Sequence, residues 1–331
     1  MEPLLIIALL LSFFLTLFFM PLWIKGTKKV GLIGKDLHKV GETQVSEAGG
    51  VGMLFGFICG VLVYIALKTF YFNSVENLIE IFAALTSILI ISFIGLIDDV
   101  LGWKIGLTRK TRIFFLIFAA IPLIVINAGV SVMFGRDFGL LYPLVIIPLG
   151  IVGASATFNF IAGYNGLETS QGILILSALA LVAWFTGNSW LSMVALIMVT
   201  ALLAFYLFNK TPAKIFPGDT LTYAVGALIA IMAILGNMER IAVFFFLPYI
   251  IETFLKIRGK LKKESFAKLR EDGSIDMPYK KIYGLEHLAI KILKKVKKDG
   301  KVYEKEVVWG INLFQILVII LGFILFRSRI F

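Results

Sequence analysis

Apolar residues run through this chain in long unbroken stretches, and the polar residues collect in the gaps between them. A helix crossing a bilayer needs about 20 predominantly apolar residues, because every backbone polar group must be satisfied within the segment. Ten stretches meet that pattern: 3–24, 48–67, 78–97, 113–131, 140–161, 170–187, 190–209, 220–237, 241–255 and 307–326. The first is too long, and too poor in early basic residues, for a cleaved signal peptide, so it reads as a retained span. The expectation is an all-α polytopic membrane protein of about ten transmembrane helices, forming a single integral membrane domain over 1–331. Gly56 and Gly60, spaced as GxxxG in the second stretch, read as a helix-packing pair.

The longest gap, 256–306, separates the ninth and tenth stretches and is basic and turn-rich. Asp272-Gly273 and Asp299-Gly300 are hairpin-turn dipeptides. Between them, GLEHLAIKILKKVKK sets Leu285, Leu288, Ile292 and Val296 at helical spacing against a lysine-rich face. That pattern predicts a helix lying on an anionic membrane surface. The gap therefore reads as a small cytoplasmic loop of β-hairpin and amphipathic helix.

Composition agrees with the pattern: 331 residues with 59% hydrophobic side chains and 16% charged ones exclude a soluble globule. A net charge of +11 could suit nucleic acid, but its distribution says otherwise. The gaps that share one side of an alternating chain hold 27 of the 32 Lys and Arg residues. The opposite side holds only Lys68, Arg136, Arg240, Arg327 and Arg329. Basic loops mark the cytoplasmic side, and the ratio is still 11 to 5 without the long loop, for which the rule is weaker. Both termini are expected outside the cell membrane, with membrane lipids rather than nucleic acid as the charged partner. Cys59 lies alone inside a span, so there is no disulfide framework, and it reads as a small apolar packing residue.

Three polar clusters sit where spans end, all on the predicted cytoplasmic side. Asp98 and Asp99 close the third span. Two carboxylates at a helix C-terminus are disfavoured unless a cation answers them, although a solvated interfacial pair is the plainer alternative. Lys104, Arg109, Lys110 and Arg112 follow, as solvated charges or as a cationic wall for phosphates. In NFIAGYNGLE, 159–168, Asn159 and Asn165 are six residues apart, about 240° around a helix. They share a site only if the backbone leaves the helix between them, which Gly163 and Gly166 permit; a polar turn at Asn165-Gly166 is the alternative. In FPGDTLTY, 216–223, Asp219 is placed to N-cap the eighth span, and a second oxygen could hold a metal. Hard oxygen ligands suit Mg2+, whereas one cysteine and two histidines leave little for zinc. His38 and His287 read as solvated loop histidines.

FIGLIDDVLG, NFIAGYNGLE and FPGDTLTY, in this order and at these boundaries, resemble the polyprenyl-phosphate N-acetylhexosamine-1-phosphate transferase family. The chain is most similar to its eukaryotic and archaeal branch, the UDP-GlcNAc–dolichyl-phosphate GlcNAc-1-phosphate transferases. KDLHKVGETQVSE, 35–47, resembles the first cytoplasmic loop of that branch, including Asp36 and Glu47. The resemblance covers roughly residues 30 to 280.

What the resemblance implies is transfer of GlcNAc-1-phosphate from UDP-GlcNAc to a polyprenyl or dolichyl phosphate, with UMP released. It is the first step of lipid-linked oligosaccharide assembly for N-glycosylation. By similarity, Asp219 and Asn159 hold Mg2+, with Mn2+ as a potential substitute. Asn165, with the backbone near Gly163, meets the uridine, while Asp36, Glu47 and Glu168 contribute to substrate binding. Asp98 and Asp99 match the family's acidic pair, as base or as metal organiser, and Lys110 matches a lysine that contacts the phosphates. Ala156 stands where the family often has another asparagine. KIRGKLKKESFAK replaces an Arg-His-Arg cluster, with Arg258 and Lys263 as its stand-ins. A homodimer is compatible with the sequence. Two alternatives stay open: a related transferase using another UDP-sugar or undecaprenyl phosphate, and a polytopic transporter or flippase.

Overall fold

The computed structural model describes residues 3–41, 43–102, 106–133 and 135–330. Among them, seven helices are long and apolar enough to cross a membrane. They are built on α1 (Ile6–Lys29), α2 (Gly50–Ala66), α3 (Leu78–Leu101), α7 (Leu167–Phe185), α8 (Ser189–Asn209), α9 (Gly218–Leu235) and α13 (Glu304–Leu325). The other three predicted stretches are shorter or interrupted. The fourth is split into α4 (Arg109–Phe118) and α5 (Ile121–Val125), with Pro122 opening the second piece. The fifth is a helix from Tyr142 to Phe158 that ends in α6 (Ile147–Phe158). The ninth breaks at Phe246 between α10 (Glu239–Phe245) and α11 (Leu247–Arg258), where Pro248 lies in the first turn. Proline lacks the N–H that would continue a preceding helix, so the apolar run is long while the helices are not.

The centre of the bundle is α9. Every residue from Thr220 to Ile234 is buried, as expected of a helix apolar on all sides, and α2, α3, α6, α7, α8 and α10 pack around it. Its close neighbours meet it through small residues. A Cβ added at Gly95 of α3 would lie 2.7 Å from the Asp219 carbonyl, and one at Gly226 would lie 2.7 Å from the Ala154 carbonyl. Gly56 and Gly60 are packing positions: a Cβ at Gly56 would meet Thr16 and the Ser12 carbonyl of α1.

The polar connections carry short hairpins. β1 (Ile33–Lys35) pairs antiparallel with β2 (Gln44–Ser46), and Ser46 bridges onward to Ile215. β3 (Val132–Met133) pairs with β4 (Arg136–Asp137), a hairpin the sequence pattern does not announce. In the 256–306 segment, β5 (Lys268–Leu269) and β6 (Ile275–Asp276) form the hairpin expected around Asp272-Gly273. The expected amphipathic helix follows as α12 (Leu285–Val296). Its apolar residues do not act as one face, however. Leu285 and Ile290 are buried against the protein, while Ile292 and Val296 are 52% and 75% exposed.

Both histidines depart from expectation. His38 and His287 are 4% and 0% exposed, so neither is a solvated loop residue. Burial, together with nearby Lys256, pushes the His287 imidazole down to about 4. It is therefore neutral at physiological pH.

Candidate active site

The N-terminus of α9 and the C-terminus of α3 meet at one end of the bundle, and the contact is made by Asp99. Its Oδ1 accepts the Asp219 backbone N–H at 2.6 Å. Its Oδ2 accepts the Thr220 N–H at 3.1 Å and the Thr220 hydroxyl at 2.5 Å. Asp99 thus caps α9 from a different helix, satisfying orphan N–H donors and lying at the positive end of the helix dipole. The cap expected of Asp219 is supplied by Asp99, and the Asp219 carboxylate is released to face elsewhere. Gly218, with φ of 72°, leaves room for this approach; a Cβ there would lie 2.4 Å from Asp99 Oδ2.

Asp219 is held by neighbours on three sides. Asn159 Nδ2 donates to its Oδ1 at 2.6 Å, and the Tyr223 hydroxyl donates to its Oδ2 at 2.9 Å. The Arg112 guanidinium lies 3.5 Å from Oδ2 and also pairs with Asp98 Oδ2. Asp98 Oδ1 accepts the Leu107 N–H at 2.8 Å. The two acids at the end of α3 are therefore answered differently: Asp99 by a helix N-terminus and Asp98 by an arginine.

The second wall comes from the segment after α6. The helix stops at Phe158, and the chain turns through Gly163 at φ 95° and Gly166 at φ 84° before α7 starts. That departure from helix brings Asn159 and Asn165 to one cavity. Glu168 Oε1 accepts the Gly163 N–H at 2.9 Å and so fixes the turn, while its Oε2 is buried without a partner. The Asn165 amide donates to Asp36 Oδ2 at 2.8 Å, joining the turn to the first polar loop. Glu47 lies on β1's flank, where a Cβ on Gly34 would come 2.2 Å from Glu47 Oε1. Burial pushes the Glu47 carboxyl above its ordinary value.

These walls enclose a cavity of about 770 Å3. Asp36, Glu47, Asp98, Asp99, Asn159, Gly163, Asn165, Glu168 and Asp219, all singled out from sequence, line it. Lys110 does not. It is exposed in the first turn of α4, whereas Arg112, two residues further on, lines the cavity. Arg258 and Lys263 also lie outside the lining, over the rings of Tyr283 and Tyr279, respectively. Lys104 falls outside the described residues. The sequence reading missed Arg112's pairing with both acids, although it named the residue among the loop's charges. It also missed Phe266, which reaches in from the 256–306 segment and covers Gly163.

Six carboxylates line the cavity beside the basic residues Lys35 and Arg112. An anionic phosphate entering such a site meets net repulsion unless further positive charge enters with it. The oxygen donors near Asp219 and the Asn159 amide are hard ligands, without thiol or imidazole on this lining. That donor set fits Mg2+, which takes one or two carboxylates plus substrate phosphates.

Residues 81–237 match the model of Glycosyl transferase family 4. The chain is 34% identical over 328 residues to a Saccharolobus solfataricus protein named "Putative UDP-N-acetylglucosamine--dolichyl-phosphate N-acetylglucosaminephosphotransferase", covering 96% of each. A Sulfolobus acidocaldarius protein of the same name is 34% identical over 310 residues, 90% of each chain. A phospho-N-acetylmuramoyl-pentapeptide-transferase of Halalkalibacterium halodurans is 29% identical over 284 residues, 78% of this chain and 86% of the relative. With its motifs gathered on one cavity and its similarity spanning almost its full length, the chain belongs to glycosyl transferase family 4 and is a glycosyl-1-phosphate transferase.

Proposed function

We propose that this chain transfers GlcNAc-1-phosphate from UDP-GlcNAc to dolichyl phosphate or a related polyprenyl phosphate, giving GlcNAc-PP-lipid and UMP. The observation that carries this reading is the meeting of Asp219, Asn159 and Arg112 with Asn165 and Asp36 on a single cavity at the ends of the spans. The names of the two archaeal relatives support the donor and the acceptor. The reaction would open lipid-linked oligosaccharide assembly for N-glycosylation, with the cavity on the cytoplasmic side. The ten-crossing layout is retained in this reading, with the fourth, fifth and ninth crossings made by shorter or interrupted helices.

The chemistry is a phosphoryl transfer. An oxygen of the lipid phosphate attacks the sugar-linked phosphorus of the UDP-sugar. The new P–O bond forms as the bond to the bridging oxygen breaks, and the electron pair leaves with UMP. A phosphate monoester has its second pKa near 6, so at neutral pH it attacks largely as the dianion and needs no base. Catalysis then rests on positioning and on charge placed in advance. Mg2+, held by Asp219 and Asn159, would supply neutralisation of pyrophosphate charge. Arg112 would add a fixed guanidinium to the same wall. Asp99, with both oxygens engaged by α9, organises the metal-binding acid rather than taking a proton. Asn165 and the Gly163 turn would receive the uridine. In the long segment, Arg258 and Lys263 lie over the rings of Tyr283 and Tyr279, outside the cavity lining, and in this reading they would support the segment next to the cavity.

The test is UMP release from detergent-solubilised protein supplied with lipid phosphate and a panel of UDP-sugars. Asp219→Ala is expected to lower turnover at least about 100-fold in protein that still folds. EDTA should abolish the wild-type rate and Mg2+ restore it. A near-normal rate for Asp219→Ala at saturating Mg2+ would remove the metal assignment. Vectorial lipid movement without UMP release would instead favour a flippase.

A further inference from the structure

The acid Glu304 opens α13, 139 residues from Asn165 in sequence, yet the two are joined directly. Glu304 is 5% exposed and lies outside the cavity lining. Its Oε1 accepts the Asn165 backbone N–H at 2.7 Å, and its Oε2 lies 3.5 Å from the Asn165 side-chain nitrogen. Lys39 pairs with the same Oε2, which also lies 3.5 Å from the Thr211 hydroxyl.

A third arm runs through His38. Its Nε2 accepts the Ala267 backbone N–H at 3.0 Å, so the ring proton sits on Nδ1, which faces Glu304 Oε1 at 3.7 Å. Ala267 follows Phe266, the ring that covers Gly163 in the cavity wall. Asp36 closes the arrangement: its two oxygens accept the His38 backbone N–H at 3.0 Å and the Asn165 side-chain amide at 2.8 Å. Asp36, His38 and Glu304 bring ligand-type atoms within 4.8 Å of one another. Lys39 pairs with Glu304 there and N–H donors meet the acceptor atoms, so hydrogen bonds join the cluster into one junction.

We infer that Glu304 is a positioning residue for the nucleotide end of the donor substrate. From the start of α13 it holds Asn165 directly and faces His38, which accepts from the backbone next to Phe266, although it touches no substrate itself. The 256–306 segment is thereby attached to the cavity wall at two points: at Ala267 through His38, and at Glu304 itself. This inference rests on the reading that Asn165 receives the uridine.

Glu304→Gln preserves shape but replaces one accepting oxygen with a donor, opposing either Asn165 or Lys39. Loss of one charge-assisted hydrogen bond corresponds to about tenfold or more in binding. The expected result is a KM for UDP-GlcNAc raised about tenfold, with kcat within about threefold and the KM for lipid phosphate unchanged. His38→Gln should shift the same KM in the same direction, and it serves if Glu304→Gln does not fold. Melting in detergent with added UDP gives a readout independent of turnover: UDP should stabilise the wild type and lose that effect in the variant. A folded variant with wild-type kinetics and wild-type UDP stabilisation overturns the inference. So does a fall of kcat and melting temperature with the KM for UDP-GlcNAc and for lipid phosphate changed alike, which marks a purely structural acid. Wild-type protein that is stabilised by UDP yet releases no UMP refutes the transfer reaction, while the UDP stabilisation still decides the role of Glu304.

Discussion

At the scale of single residues, the adjacent acids Asp98 and Asp99 have separate tasks that their adjacency hides. Asp99 accepts three hydrogen bonds from the start of α9, whereas Asp98 pairs with Arg112. Asp99→Asn is therefore expected to act as a cap mutation. Its amide cannot accept from every donor on both sides, and losing a charged acceptor at a helix N-terminus costs about 1–3 kcal/mol. The melting temperature should fall, and turnover with it, because Asp219 is the first residue the cap holds. The pH–rate profile should keep its wild-type shape. A variant rate that recovers steeply at high pH, with melting unchanged, would show instead that Asp99 assists deprotonation of the lipid phosphate.

At the scale of elements, what the sequence revealed and what it concealed divide along a physical line. Long apolar runs report helices whose surroundings are uniformly apolar, so seven spans were legible from hydropathy alone. The runs at 113–131 and 241–255 were equally apolar, but hydropathy carries no term for the backbone break at Pro122 or Pro248. Residue types at span ends gave away nine of the lining positions. The partners of those residues were not legible, because Glu304, His38 and Arg112 reach the site through tertiary contacts between distant segments. Side-chain size at helix crossings is a further hidden layer. Gly95 lets α3 approach the backbone of α9 at Asp219, and a methyl there would meet backbone atoms at 2.7 Å, which cannot rotate away. Gly153 of α6 is exposed, and a methyl added there would have nothing within 4 Å. Gly95→Ala should thus destabilise by about 1–3 kcal/mol through overpacking and displace Asp219. Gly153→Ala should be neutral or stabilising by up to about 1 kcal/mol, since alanine is the better helix former. Thermal melting of the pair checks this, and equal effects would show that the α3–α9 contact is loose enough to admit a methyl.

At the scale of the whole molecule, the polar loops that build the cavity all leave the bundle at one end. β1–β2, the turn after α6, the entry to α9 and the 256–306 segment supply its lining, while the β3–β4 hairpin and the α7–α8 turn do not. The basic residues follow the same division, which is the bias expected of cytoplasmic loops. This arrangement makes topology measurable with one probe, since Cys59 is the single native cysteine. In a Cys59→Ala background, new cysteines at Asn73 or Asn188, on the loops away from the cavity, should react with a membrane-impermeant maleimide on intact cells. Cysteines at Lys110 or Lys262, both exposed on the cavity side, should react only after permeabilisation. None of the four positions lines the cavity, so UMP release can be measured on the same variants to confirm that labelling reports the working fold. Labelling of Lys110→Cys from outside would invert the protein. The donor nucleotide and the cavity would then lie on opposite sides of the membrane, and the chain could draw on UDP-GlcNAc only if that nucleotide were supplied from without.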